Sequence, residues 1–469
     1  MTATQYSTIV DLSTEAFAQA NQTGQPVLLS VSERVEGVSP LVFFHAGKEH
    51  YGGKRAFWGT PTNDLTLVGL GYEYIIETEE NETRFQFVQT KWSTLLERSF
   101  VDKKTDQVGV GPLLLGGFSF DPLKEKDVLW EKYKSASMVL PTFLLSATST
   151  GTWLTMNRIL MPGMKMEDER VRWQHEWNEL LQHRCTKGLN PPSSCYTVEE
   201  VAPEAYLNAV ANVAYAVRTS ELDKAVIARE LRLSLEHSLQ AEHVLKRLAD
   251  EQSGSYLFAF EREGDCFIGA TPERLVKKKE DELLSTCLAG TTRRGKSPSE
   301  DKYLGDELLH DQKNREEHAV VVRKITEAYT AMCGEVDVPE APVLLKLRDY
   351  QHLYTPVSGQ IKKELTLLDV VAQMHPTPAL GGHPSARALE VIRQEEKWDR
   401  GWYAAPIGWI DQYGDGEFVV AIRSGLLRDN YASLFAGGGI MGDSNPVCEY
   451  LETQTKFRPM LSALGVRPE

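Results

Sequence analysis

Cysteine is scarce and unpatterned in this chain. Its six thiols, Cys185, Cys195, Cys266, Cys287, Cys333 and Cys448, are scattered, and no two form a CxxC pair. A disulfide framework and a cysteine-rich zinc site are therefore excluded as organising principles, and reduced thiols are expected. Positive charge is in deficit as well. Lys plus Arg number 51 against 66 Asp plus Glu, a net charge of −15. That balance argues against nucleic acid or an anionic membrane surface as the main partner. An anionic small molecule remains open, because it needs only a local pocket of opposite sign. Long apolar runs are missing too: no stretch approaches the ~18 residues a membrane-spanning helix requires. The opening segment MTATQYSTIVDLSTEAFAQA has neither the basic stretch nor the apolar core of a secretory leader, so a cytoplasmic location is expected. Short-period repeats and low-complexity tracts are absent.

What is present is an ordinary globular mixture, 42% hydrophobic and 25% charged, over 469 residues. That length can bury a large core, as several units or as one large α/β unit. The first ~160 residues read mostly as strands and turns, with alternating or β-branched character at 25–32, 65–78, 85–89, 112–120 and 138–147. Residues 164–183 have helical spacing. The segment 185–197, containing GLNPPSSC, reads as a linker or loop. An apolar-striped helix is expected over 205–219, a short buried strand over 224–228, and a hairpin over 256–270 turning at Glu263-Gly264-Asp265. Residues 301–333 form one long helical pattern. Antiparallel strands are expected over 402–410, 416–427 and 432–435. A closing helix should run over 446–464, capped by Asp443 or Ser444. Strands and helices are segregated rather than alternating, which makes the class α+β.

Seven short segments could carry chemistry. On the closing helix, Glu449, Glu452 and Lys456 fall at i, i+3 and i+7, one face of the helix. By itself that face is equally a solvated surface with a Glu452–Lys456 ion pair. The preceding run Ala436-Gly437-Gly438-Gly439-Ile440 lets backbone approach a ligand closely. In Asn314-Arg315-Glu316-Glu317-His318 mixed charge switches abruptly to an apolar run. A plain helix entering the core explains that, but if Glu317 faced Glu452 the pair would suit a hard cation, which one or two carboxylates commonly hold. Thr271-Pro272-Glu273 suggests a turn presenting a carboxylate. Gly290-Thr291-Thr292-Arg293-Arg294 is a strand end running into a basic loop. The stretch from His375 to Pro384, HPTPALGGHP, is rigid and rich in proline and glycine, which is costly unless its shape matters. Arg423, in an otherwise apolar strand, needs a partner if buried, and a substrate carboxylate is one, with the Tyr403 hydroxyl as a second donor. Lys224, at the head of a buried run, either reaches the surface or, if its amine is desolvated, acts as a base.

Taken together and in order, the segments KAVIAR, FIGATPERL, LAGT, NREEH, HPTPALGG, GWYAAPIGW, AIRS and AGGGI followed by S.P..E..E...K resemble the chorismate-utilising enzymes. That family includes anthranilate, aminodeoxychorismate, salicylate and isochorismate synthases. The resemblance is dense from about 206 to 464 and loose before it. It implies an anthranilate-synthase-like α+β fold of stacked antiparallel sheets flanked by helices. Residues 1–200 would be a β-rich portion completing the fold, and 201–469 the chorismate-binding catalytic region.

Within the family the chain looks most like the isochorismate synthases of menaquinone biosynthesis. The resemblance implies Mg2+-dependent conversion of chorismate to isochorismate, by attack of water at C2 with loss of the C4 hydroxyl. It implies Lys224 as general base and Glu273 as general acid, with Glu317 and Glu452, and Glu449 nearby, holding Mg2+. Tyr403 and Arg423 match the grip on the enolpyruvyl carboxylate. Gly290, Thr291, Gly437, Gly438 and Lys456 match ligand contacts, and His375 matches a polar residue near the ring. Ala379, beside Leu380, stands where ammonia-using members and salicylate synthases tend to carry Thr, which fits water as the nucleophile. No glutaminase-like GxCxG motif is present, so no obligatory glutaminase subunit is expected, and the chain would be a monomer or homodimer. A siderophore-pathway isochorismate synthase, a salicylate synthase and a non-catalytic chorismate-binding regulator are the alternatives.

Overall fold

The computed structural model describes residues 3–81, 83–102, 105–182, 196–348 and 350–466. Two long strands, Leu65–Thr78 and Ala136–Thr148, pair antiparallel along their length and form the spine. One arm leaves Leu65–Thr78 through Arg55–Gly59, Tyr256–Arg262, Asp265–Thr271, Ser424–Arg428 and Tyr431–Ile440, ending at Lys224–Leu235. The other leaves Ala136–Thr148 through Leu113–Phe118, Pro406–Asp411, Gly416–Val420, Arg274–Lys279 and Glu282–Arg293, ending at Tyr350–Ile361. Every pairing along both arms is antiparallel. Strands from residues 1–200 therefore hydrogen-bond to strands from the rest of the chain in both arms.

Apolar side chains on one face of each arm meet in one continuous core, where Trp58, Trp130, Trp402 and Trp409 are essentially inaccessible to solvent. A second core lies under the helices Ala3–Thr23, Met166–Gln182, Ala241–Glu251 and Pro446–Ala463, around Trp173 and Trp177. Strands buried on both faces read as continuous apolar runs, which is why 138–147 was legible. The linker expected over 185–197 lies outside the described residues up to 195. From 196 the chain is already a strand, Tyr196–Glu200. Cys266, Cys287, Cys333 and Cys448 are all free thiols.

Several sequence expectations are corrected. The N-terminal portion is less purely β than its pattern: residues 85–89 belong to the helix Arg84–Leu96, whose Phe85, Val88, Trp92 and Leu95 repeat at helical spacing into the core. The single helix expected over 301–333 is two, Pro298–His310 and Gln312–Met332, divided at Asp311. Asp311 is extended and its carboxylate caps the second helix by accepting from the Asn314 N–H. The closing helix, Pro446–Ala463, is capped by Asn445, whose side chain accepts from the Val447 and Cys448 N–H groups, and not by Asp443 or Ser444. The strand expected over 432–435 extends through the glycine run 437–439. The run lies inside Tyr431–Ile440 and pairs with residues 226–228.

Candidate active site

Both arms end at one cavity of about 750 Å3, a volume suited to a small organic ligand. Its lining comes from Lys224–Leu235, Tyr431–Ile440 and the turn after Asp265–Thr271 on one side, and from Glu282–Arg293 and Tyr350–Ile361 on the other. The helices Gln312–Met332 and Pro446–Ala463 close it. The lining carries the cations Lys224, Arg293, Lys313, Arg400, Arg423 and Lys456. The same lining carries the acids Glu273, Glu317, Asp443, Glu449 and Glu452, so cations and carboxylates face one another across the cavity.

Local breaks in regular structure aim the side chains. Between Gly416–Val420 and Ser424–Arg428 the ladder is interrupted, and Arg423 there has φ of +52°. Its carbonyl accepts from the Ala270 N–H at 3.1 Å. A Cβ at Gly269 would lie 2.8 Å from that carbonyl oxygen, so only glycine fits opposite Arg423. Arg423 is therefore not within a strand, as the apolar run around it suggests, but in the bend between two. A bulge at Gly290, φ +77°, shifts the register between Ala289 and Thr291. His318 secures that bulge: its Nδ1–H donates to the Ala289 carbonyl at 3.1 Å while Nε2 accepts from Thr355 Oγ1 at 2.8 Å. The histidine of NREEH is thus structural, and its neighbour Glu317 faces the cavity.

The acidic and basic groups meet in pairs. Lys224 Nζ donates to Glu317 Oε1 at 2.9 Å. Lys456 Nζ lies 2.7 Å from Glu452 Oε1 and donates to the Gly437 carbonyl at 2.8 Å. Glu449 accepts from Ser444 Oγ at 2.7 Å. A Cβ on Gly438 would sit 3.2 Å from the Glu449 carboxylate, and one on Gly439 would overlap Cε of Lys224. The glycine run is thus a strand stripped of side chains so that Lys224 and Glu449 can lie across it.

Burial pushes the Glu273 carboxyl up to about 7, against the lowering pull of Lys224, Arg423 and Lys456. Burial and the neighbouring Glu452 raise Glu449. Burial also pushes Glu452 upward, but Lys456, Arg423 and Lys224 outweigh it and hold its carboxyl below the usual range. Burial and Arg423 lower the Lys456 ammonium, with Glu452 opposing. Burial lifts the Tyr403 phenol to about 12, so its hydroxyl keeps its proton and can donate. Tyr403 is placed by the tight turn after Arg400 and packs against Phe435, ring centroids 5.3 Å apart.

Of the residues expected from sequence, Lys224, Glu273, Gly290, Thr291, Glu317, Ala379, Leu380, Tyr403, Arg423, Gly437, Glu449, Glu452 and Lys456 line this cavity. Gly438 lies just behind it, against Glu449. His375 is the exception. It is not among the lining residues; its Nε2–H donates to the Phe120 carbonyl at 2.9 Å and its ring packs edge-on against Phe120. Burial and Arg84 lower it to about 3, so it is a neutral structural anchor for the HPTPALGG turn.

The histidine that does line the cavity is His352. Its Nδ1 is 2.8 Å from Thr291 Oγ1, and burial with Arg423 and Lys456 keeps it neutral, lowered to about 3. Arg400 was also missed. Buried against Glu396, it donates to the carbonyls of Val226 and Leu380 and so ties two signature segments together at the cavity wall. Neither His352 nor Arg400 sits in a patterned segment, so only tertiary contact reveals them.

A chorismate binding enzyme model matches residues 15–465. Isochorismate synthase MenF of Bacillus subtilis is 41% identical over 454 residues, 96% of each chain. The salicylate biosynthesis isochorismate synthase of Pseudomonas aeruginosa is 33% identical over 454 residues, 96% of this chain and 93% of the other. Among solved structures, the menaquinone-specific isochorismate synthase MenF of Escherichia coli superimposes with a TM-score of 0.78 over 97% of this chain and 100% of that one. At 21% identity this bears on the fold alone. The chain belongs to the chorismate-binding enzyme family.

Proposed function

We propose that this protein is an isochorismate synthase, which converts chorismate to isochorismate. The observation that carries the proposal is the meeting of Lys224 and Glu273 in one cavity that also holds Arg423 and Lys456, with the Glu273 carboxyl raised to about 7. The full-length likeness to isochorismate synthases at 41% and 33% identity supports it. Chorismate is a cyclic dicarboxylate. Arg423 and the Tyr403 hydroxyl take its enolpyruvyl carboxylate, and the Gly290-Thr291 bulge and Lys456 contact the rest of the ligand. Lys224 accepts a proton from the water that attacks C2. The ring double bonds shift, and Glu273 gives its proton to the departing C4 hydroxyl, which leaves as water. One water enters and one leaves, so the step balances as an isomerisation. Each such proton transfer contributes typically ~10²–10⁴ in rate.

Mg2+ fits this donor set. Glu317, Glu452 and Glu449 offer only hard carboxylate oxygens, and Glu317 and Glu452 arrive on two separate helices at one cavity. Among the described residues no three acidic, histidine or cysteine side chains form a ready-made metal cluster. The remaining ligands would thus be water and a substrate carboxylate, as is usual for Mg2+. When bound, the ion neutralises the ring carboxylate and fixes the ring's orientation.

Residues 201–469 supply every catalytic and ligand-holding group in this reading, and residues 1–200 complete the sheets. No helix among the described residues is long and apolar enough to cross a membrane. The reading further takes the enzyme to be cytoplasmic and to work as a monomer or homodimer without a glutaminase subunit. Menaquinone biosynthesis is the pathway favoured by the likeness to the Bacillus subtilis MenF. Incubation with chorismate and Mg2+, followed by chromatography, should yield isochorismate. Salicylate with pyruvate, an aminated product when ammonium is added, or no reaction would each overturn the reading.

A further inference from the structure

Behind Arg423 lies a second, much smaller cavity of about 20 Å3. It is bounded by Gln252 and Ser255 at the end of the helix Ala241–Glu251, by Leu347 and Arg348, and by Pro459 of the closing helix. Pro272, Tyr350, His352 and Arg423 line both this space and the large cavity, so they form the wall between the two. Two polar atoms on residues lining the small space are buried without a hydrogen-bond partner among the described residues: Gln252 Nε2 and Arg423 Nη1. A buried donor left unpaired is costly, and two on residues lining one small cavity suit a shared acceptor. A space of this size admits one water, for which ~10–15 Å3 suffices, and little else.

We propose that a single water molecule occupies this cavity, accepts hydrogen bonds from both Gln252 Nε2 and Arg423 Nη1, and holds the guanidinium in its substrate-binding orientation. Water suits the site because its two lone pairs match two donors. Arg423 needs the help. It stands in a left-handed bend between two strands, its ring contact is Tyr350 at 5.9 Å, and no carboxylate pairs with it among the described residues. With Nη1 tethered from behind, the other guanidinium nitrogens stay directed at the large cavity. Gln252 is thereby a positioning residue. It acts on substrate through the water and Arg423 and does not enter the large cavity.

This inference rests on the proposed function for what Arg423 grips, but not for the water itself. A crystal structure of the unliganded wild-type protein, at a resolution that shows ordered water, should place one density peak within hydrogen-bond reach of both atoms. An empty cavity would overturn the proposal, as would a peak that gains anomalous signal after bromide exchange, which marks a halide. Gln252→Leu should then raise the dissociation constant for chorismate roughly fivefold, the worth of one hydrogen bond. It should raise KM with kcat retained and the melting temperature little changed. An unaltered KM would remove Gln252 from the positioning role even with the water present. If wild-type protein does not turn over chorismate, the functional reading fails, and the density peak still decides the hydration site by itself.

Discussion

Lys224 and Glu317 form a hydrogen-bonded ion pair, Nζ to Oε1 at 2.9 Å, bringing a strand and a helix 93 residues apart in sequence to the same cavity. In the proposed reaction the pair joins two roles, general base and metal ligand, that must be kept apart. As long as Glu317 holds the ammonium, the amine cannot take a proton and the carboxylate is not free for a cation. Glu452 is neutralised in the same way by Lys456. Glu317 and Glu452 thus each carry a counter-charge, whereas Glu449 accepts only from the Ser444 hydroxyl.

Glu317→Gln and Glu452→Gln should each weaken Mg2+ binding by at least roughly tenfold, because a neutral amide replaces a charged oxygen ligand. Titration calorimetry with Mg2+ measures this without reference to turnover. Unchanged affinity in either variant removes that residue from the ligand set.

The raised Glu273 carboxyl has two separable consequences. As an acid it works only while protonated, so kcat/KM should fall on the alkaline side with an apparent pKa of about 7. Glu273→Gln should abolish that limb and lower kcat by ~10²–10⁴. Stability moves in the same direction. Between the ordinary value of 4.5 and about 7 the folded protein keeps a proton that the unfolded chain has lost. Stability is therefore lost as pH rises through that window. The Gln variant escapes this loss and should melt above wild type near pH 8, while the two converge near pH 4. Melting curves at both values check the sign.

Lys224→Ala should retain Mg2+-dependent ligand binding and lose ~10²–10⁴ in kcat. Gly439→Ala tests the same amine without touching it. The new methyl would overlap Cε of Lys224 and come within 2.9 Å of its Nζ, and a flexible side-chain end yields more readily than backbone. The expected result is a fold stable to within about 1 kcal/mol of wild type but a kcat/KM reduced by at least roughly tenfold. Denaturation and steady-state kinetics on one preparation separate the two effects.

The two histidines should part company. His375→Ala removes the hydrogen bond to the Phe120 carbonyl and a ring contact, so it should cost roughly 1–3 kcal/mol of stability. The folded fraction should keep near wild-type kcat/KM. His352→Ala opens the cavity wall and strands Thr291 Oγ1, so it should lower kcat/KM by roughly tenfold or more with a smaller effect on melting.

How much of this was legible in the chain follows from how each feature is encoded. The hairpin at Glu263-Gly264 and the strand Leu65–Thr78 could be read because alternation and turn chemistry are local. The helix Arg84–Leu96 was missed at 85–89 because five residues with alternating apolar side chains fit either period. The division at Asp311 was missed because charge continues smoothly through it, and only the carboxylate's capping bond marks the break. Lys224, Glu273, Glu317 and Glu452 were found because each sits in a recognisable signature. His352 was not, because its role comes from a register match with Thr291 across two strands, which no local pattern carries. His375 was chosen because it matches a site residue in the family resemblance, whereas here its segment leads to Ala379 and Leu380, which line the cavity.

The central claim is that a solvent water, deprotonated by Lys224, adds to the ring as the C4 hydroxyl departs with the Glu273 proton. Turnover of chorismate with Mg2+ in 18O-enriched water, read by mass spectrometry of the isochorismate formed, tests it most directly. The account predicts one 18O per product molecule, located in the C2 hydroxyl. Product carrying no label, as internal transfer of the original hydroxyl would give, contradicts it.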